Sequence, residues 1–141
     1  AFAKDPLIIR TSTVYGLDEQ HKSFPLRVVQ LLKDNQTVYA PENTVTPTYV
    51  EDVVSIAIQR IKDTGIIHAS GPESCTKLDF ARRIAEVFSD ELPQGYRENI
   101  ERADFLAKRP KKGGLVFTHN TTYHCITRGL KALKDELAGV I

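Results

Sequence analysis

The side chains of this sequence that could handle a polar ligand are mostly hydroxyls and cations, and they fall in three groups. Thr11, Ser12, Thr13 and Tyr15 stand together between the apolar run Pro6–Arg10 and Gly16. Thr44, Thr46 and Thr48 alternate around Pro47, beside Asn43 and immediately ahead of a long apolar-periodic segment. Lys108, Arg109, Lys111 and Lys112 crowd a loop that closes with Gly113–Gly114. Hydroxyls beyond a buried strand or ahead of a helix can meet anionic and polar ligands, because strand ends and helix N-termini gather the ligand sites of α/β proteins. The same residue types are ordinary turn formers and caps, so spacing alone leaves both roles open.

Other chemistries are less well supported. His119, His124 and Cys125 do not have the i, i+4 spacing of ligands on one helix face, nor that of a zinc finger, so no metal centre is expected. His68 lies in an apolar run and reads as a satisfied core histidine. The Lys-Arg-Pro-Lys-Lys run has no interleaved aromatics, and a net charge of +1 gives the chain no global field, so nucleic acid is not an expected partner. Cys75 and Cys125 are far apart and form no C-x-x-C, which argues against a disulfide framework.

These groups need elements to position them. Val45–Ile61 reads as the organising stretch: Pro47 keeps the residues before it in strand or loop, the helix begins just after with Thr48 and Glu51 as a capping box, and Val50, Val53, Val54, Ala57, Ile58 and Ile61 form one apolar stripe expected to pack on a core. Pro6–Arg10, Thr37–Ala40 and Gly65–Ala69 read as short strands, the first and last of them buried, with Ile100 in a further one. A helix opens after Ser23 with Pro25 in its first turn and ends near Asp34–Asn35. Another opens at Thr76 with Asp79 as a second capping box, and a last one carries Ile126, Leu130, Leu133 and Leu137. Strands alternate with helices in an α/β pattern, but the strands are too few for a complete doubly wound sheet.

A chain of 141 residues matches one ordinary domain. With no apolar run near membrane-span length and no signal layout in the first residues, a soluble protein in the cytoplasm is the expectation. The sequence has no methionine, even at position 1, which suggests a piece of something longer.

In order, Ile8-Ile9-Arg10-Thr11-Ser12-Thr13-Val14-Tyr15-Gly16, Ser23-Phe24, the loop Glu42–Asp52, Gly65–Gly71, Phe80-Ala81 and Lys108-Arg109-Pro110 resemble the extended short-chain dehydrogenase/reductase superfamily. Within it they are most similar to the dTDP-4-dehydrorhamnose reductase group. The resemblance covers nearly the whole chain, and Thr127–Leu130 looks like a degraded final-helix motif. Thr13, Asn43 and Val45 depart from the group's pattern, which leaves the exact sugar nucleotide open.

The resemblance implies the carboxyl-terminal part of a Rossmann-type fold, a single substrate-binding fragment over residues 1–141 with an incomplete sheet. The chain has no Gly-rich turn between a strand and a helix, and no tyrosine is followed four residues later by lysine. By the resemblance, NAD(P) and the catalytic tyrosine belong to an upstream Rossmann portion, so no catalytic residue and no cofactor are expected in this chain and it should be inactive alone. The implied substrate is a nucleotide-linked 4-keto-deoxysugar. Its contacts would be Thr11, Ser12, Thr13 and Tyr15 toward the sugar, Asn43, Thr46 and Thr48 toward the nucleotide, and Arg109 on the diphosphate, where a guanidinium can clamp two oxygens. An epimerase, a dehydratase or a non-catalytic regulatory subunit of the same fold are the alternatives. Loss of the upstream half would expose apolar surface, so self-association is expected.

Overall fold

The computed structural model describes residues 5–104, 113–114 and 124–139. Strand β1 (Leu7–Arg10) pairs in parallel with β6 (Gly65–His68), Ile8 opposite Ile66 and Ile9 opposite Ile67. A parallel pair needs a crossover. Helix α2 (Val50–Gln59) lies within that connection and packs Ile56 with Ile9, Ile67 and Ala69.

The larger core lies elsewhere. Helices α1 (Phe24–Lys33), α3 (Lys77–Val87) and α4 (Ile126–Leu137) enclose Leu32, Phe80, Ile84, Phe88, Leu130 and Leu133. They pack beside β3 (Val38–Ala40) and β8 (Ile100–Arg102), a second parallel pair in which Val38 faces Ile100. Two-residue strands complete the framework: β2 (Val14–Tyr15) pairs in parallel with β5 (Thr48–Tyr49), and β4 (Thr44–Val45) runs antiparallel to β7 (Cys75–Thr76). The expected strands and helices are all present, with Ile100 opening β8, but β1 and β6 are not the buried strands expected: they pair only with each other, and Ile8 and Ile66 stay exposed. The two-residue strands were not legible, because two residues are too few to show a period.

The organising helix differs from expectation in two ways. It starts at Val50 with Tyr49 in the N-cap position and no side-chain cap. Thr48 is already in β5, where its hydroxyl donates to the Thr46 carbonyl at 3.1 Å and accepts from Gly71 N–H at 3.0 Å, so it cannot serve a capping box. Half of the apolar stripe also faces outward: Val54, Ile58 and Ile61 are 51%, 66% and 74% exposed and Val50, Val53 and Ala57 half-buried, while Ile56 and Asp52 are the buried residues of the helix. The side that meets β1 and β6 is set by Ile56, which the i, i+4 count from Val50 leaves off the stripe. At α3 the second capping box is half made, with Asp79 N–H donating to Thr76 Oγ at 3.0 Å.

Candidate functional site

A cavity of about 310 Å³ opens between α1, β3 and the start of α3, large enough for a small-molecule ligand. Phe24 and Arg27, one turn apart on α1, form one wall, with Val38 and Tyr39 of β3 opposite and Pro41, Asn43 and Lys77 closing the end. Local sequence explains the placement. Pro25 starts α1 and so fixes which residues of its first turns face β3. Lys77 N–H donates to the Asn43 carbonyl at 3.0 Å and Leu78 N–H to that of Pro41 at 2.9 Å, tying the first turn of α3 to the loop after β3.

The chemistry of the wall is mixed and directional. Asn43 Oδ1 is buried and has no hydrogen-bond partner, the only such side-chain atom among the described residues. An unpaired buried carbonyl costs about 1–3 kcal/mol, and this one is enclosed by protein atoms rather than open to the cavity. Lys77 Nζ lies 4.3 Å from the centroid of the Phe24 ring. The cations Arg27 and Lys77 and the rings Phe24 and Tyr39 give this wall both charge and aromatic surface.

Of the described residues singled out from sequence, only Asn43 lines this cavity. Thr46 and Thr48 are buried and their hydroxyls are engaged, Thr46 with Ser74 at 3.0 Å and Thr48 as above. They hold the loop that carries Asn43. Thr11 is exposed at the end of β1, and Ser12 and Thr13 are half-buried beside it with their hydroxyls 3.4 Å apart. Thr13 adopts φ 45°, a left-handed value rare for a β-branched residue, and its carbonyl accepts from Thr48 N–H at 3.2 Å. Tyr15 is buried, with its ring centre 5.7 Å from Tyr49 and 5.6 Å from Phe80. Burial first, and then the Asp52 carboxylate, push its phenol above the ordinary range, so Tyr15 stays neutral. Phe80 in turn stacks 5.6 Å from Phe24, which makes a continuous aromatic row from the β2 side to the cavity.

Arg109 lies outside the described residues. The described residues on either side of its loop are anchored next to the cavity, Ala103 N–H on the Ala40 carbonyl and Gly113 N–H on that of Thr44, both at 3.1 Å.

Sequence reasoning missed Phe24 as a ligand-facing ring, and Arg27, Tyr39 and Lys77 altogether. The available signal was the exposed Tyr39 in the middle of β3, the outward position of a strand whose neighbours are buried. Nothing in the spacing could have brought Lys77 to Phe24 across more than fifty positions. His124 Nδ1 is 2.7 Å from Asp52 Oδ1, His119 lies outside the described residues, and among the described residues no group of three or more metal-ligating side chains occurs.

The model of one protein family, the RmlD substrate binding domain, matches residues 1–137. The chain belongs to this family. Solved structures agree with the assignment. A dTDP-4-dehydrorhamnose reductase from Bacillus anthracis, solved in complex with NADP, superposes with a TM-score of 0.75 at 23% identity over 92% of this chain and 48% of its own. An orthologue from Clostridium acetobutylicum gives 0.76 at 22% identity, covering 94% of this chain and 49% of its own. A hypothetical dTDP-4-dehydrorhamnose reductase from Sulfolobus tokodaii is 31% identical over 81% of this chain and 40% of its own, with a TM-score of 0.65. The chain therefore spans about half the length, or less, of these relatives. No curated protein matches it. The α/β architecture of this family member is that of one half of an extended short-chain dehydrogenase/reductase. Among the described residues no helix is long and apolar enough to cross a membrane.

Proposed function

We propose that this chain is the sugar-nucleotide-binding portion of an NAD(P)-dependent cytoplasmic reductase that acts on a nucleotide-linked 4-keto-deoxysugar. The observation that carries the reading is the cavity between α1, β3 and α3, lined by Phe24, Arg27, Tyr39 and Asn43. An aromatic base can lie against Phe24 or Tyr39 in this cavity. Thr11, Ser12 and Thr13 then face the sugar from the end of β1, while Tyr15, buried in β2 against α4, supports them from behind. Arg109, carried over from the family resemblance, binds the diphosphate, and Thr46 and Thr48 keep the Asn43 loop in place.

The hydride donor and the proton donor come from a separate Rossmann portion on this reading, since the sequence contains neither a Gly-rich cofactor turn nor a Tyr-x-x-x-Lys pair. Ile8, Ile66 and the outward ridge of α2 are exposed apolar surface suited to contact with such a portion.

Calorimetric titration of the purified chain with thymidine- and uridine-diphosphate sugars tests the proposal. Saturable binding is expected, weakened by Tyr39→Ala and by Asn43→Leu without loss of folding. Absence of binding to any nucleotide sugar overturns it. The same preparation should leave NAD(P)H unoxidised when mixed with a keto-sugar nucleotide; turnover by the isolated chain would overturn the assignment of the chemistry to a separate portion.

A further inference from the structure

We infer that the outward face of α2 is a self-complementary interface, through which two copies of this chain pair as a two-fold dimer with their α2 helices antiparallel. Val54 and Ile58 stand one turn apart on that face and Ile61 follows them, all three more than half exposed, while Ile56 is buried on the other side of the helix. Exposed Ser55 and Gln59 border the ridge. An apolar row with a polar edge is the layout of a contact surface.

Charge decides what covers it. Glu51, in the first turn of α2, and Lys62, in the turn that follows the helix, are both exposed, and neither has an ion-pair partner among the described residues. They bracket the ridge with opposite signs. A second copy laid antiparallel, about a two-fold axis midway along α2, sets Val54 against the partner's Ile58 and Glu51 against the partner's Lys62. The axis repeats each contact, so the arrangement closes at two copies. The dipoles of two antiparallel helices also attract. A parallel pair would instead bring Glu51 beside Glu51 and Lys62 beside Lys62, which like charges disfavour. Ile8 and Ile66 take no part: Ile9 and Ile67 are the strand residues packed with Ile56, so their neighbours project from the opposite face of the β1–β6 pair. None of these residues lines the cavity, so the contact is independent of the sugar-nucleotide reading.

Sedimentation equilibrium of the 141-residue chain over a range of concentrations tests this. The parent should follow a monomer–dimer equilibrium and go no further. Glu51→Lys and Lys62→Glu should each weaken the dimer about tenfold, because either change sets like charges together twice. Mixed in equal amounts, the two variants should form a heterodimer of about parent affinity, since every reversed residue then meets an opposite charge. Ile58→Ser should weaken the dimer at least as much, and Ile66→Ser should match the parent. Circular dichroism checks that each variant is folded. If Glu51→Lys does not fold, salt decides: rising ionic strength should weaken the parent dimer and affect Lys62→Gln less. A strict monomer, association without limit, no recovery on mixing, a dimer indifferent to Ile58→Ser or lost in Ile66→Ser, or equal salt dependence of parent and Lys62→Gln would overturn the inference.

Discussion

Two residues allow direct tests of how local environment sets chemistry. Cys75 is half-buried in β7, and burial pushes its thiol up to about 11. Only the thiolate reacts, so Cys75 should stay unalkylated by iodoacetamide near pH ~8 and label progressively as the pH rises toward that value. Peptide mass mapping after labelling checks this, and rapid modification of Cys75 at neutral pH would contradict it. Arg109 carries the second test. Arg109→Ala in the protein that binds the sugar nucleotide should cost about 1.5–3 kcal/mol of affinity with little effect on melting, and Arg109→Lys should restore part of it. Equal losses from Lys111→Ala and Lys112→Ala would mark the loop as a diffuse basic segment.

At the scale of elements, α4 shows how a helix is held by groups far away in sequence. Asp52 accepts from His124 N–H at 2.7 Å and Glu73 from Ile126 N–H at 3.0 Å, so two carboxylates from other elements serve its N-terminal end. The Tyr49 hydroxyl bonds Glu136 near its other end. Gly129 in the middle is a close-approach position: a Cβ there would fall 2.0 Å from Tyr15 Oη. Alanine normally stabilises a helix interior relative to glycine by about 1 kcal/mol. Here Gly129→Ala should instead destabilise by about 1–3 kcal/mol, because the buried Tyr15 ring cannot withdraw. Adding Tyr15→Phe should recover part of the loss, a sign that thermal melts of the single and double variants would reveal. A stabilising Gly129→Ala would mean that α4 does not approach Tyr15 as described.

The molecule as a whole divides into a well-enclosed helical core and a thin α/β layer. Around Leu32, Phe80 and Leu130 the apolar side chains are fully enclosed, whereas β1, β6 and α2 bury Ile56 and Ala69 but leave Ile8, Ile66, Val54, Ile58 and Ile61 in water. A parallel pair of strands is ordinarily covered on both faces, so this layer is where the isolated chain should be sticky. Light scattering at rising concentration should show self-association, reduced when Val54, Ile58 and Ile61 are replaced together by serine. Melting temperature should hardly change, since exposed apolar residues add little to folding. A strict monomer at high concentration would refute the expectation.

What the sequence by itself determined is the order and type of the longer elements, because periodicity, Pro25, Thr76 and the apolar strand runs are local signals. Family membership was legible for a related reason: six short motifs keep their order along the chain whatever their distances in space. Of the described residues proposed from sequence, Asn43 falls in the cavity lining and the end of β1 lies apart from it. Which face of α2 is buried was decided by tertiary structure, since the helix carries apolar side chains on more than one side and only the β1–β6 pair selects Ile56. The use of Thr48 was decided the same way, by a strand partner and by Gly71, twenty-three positions on. The cavity is the clearest case. Phe24, Tyr39, Asn43 and Lys77 belong to four separate stretches, and no local pattern encodes the packing of α3 against α1 that turns them toward one space.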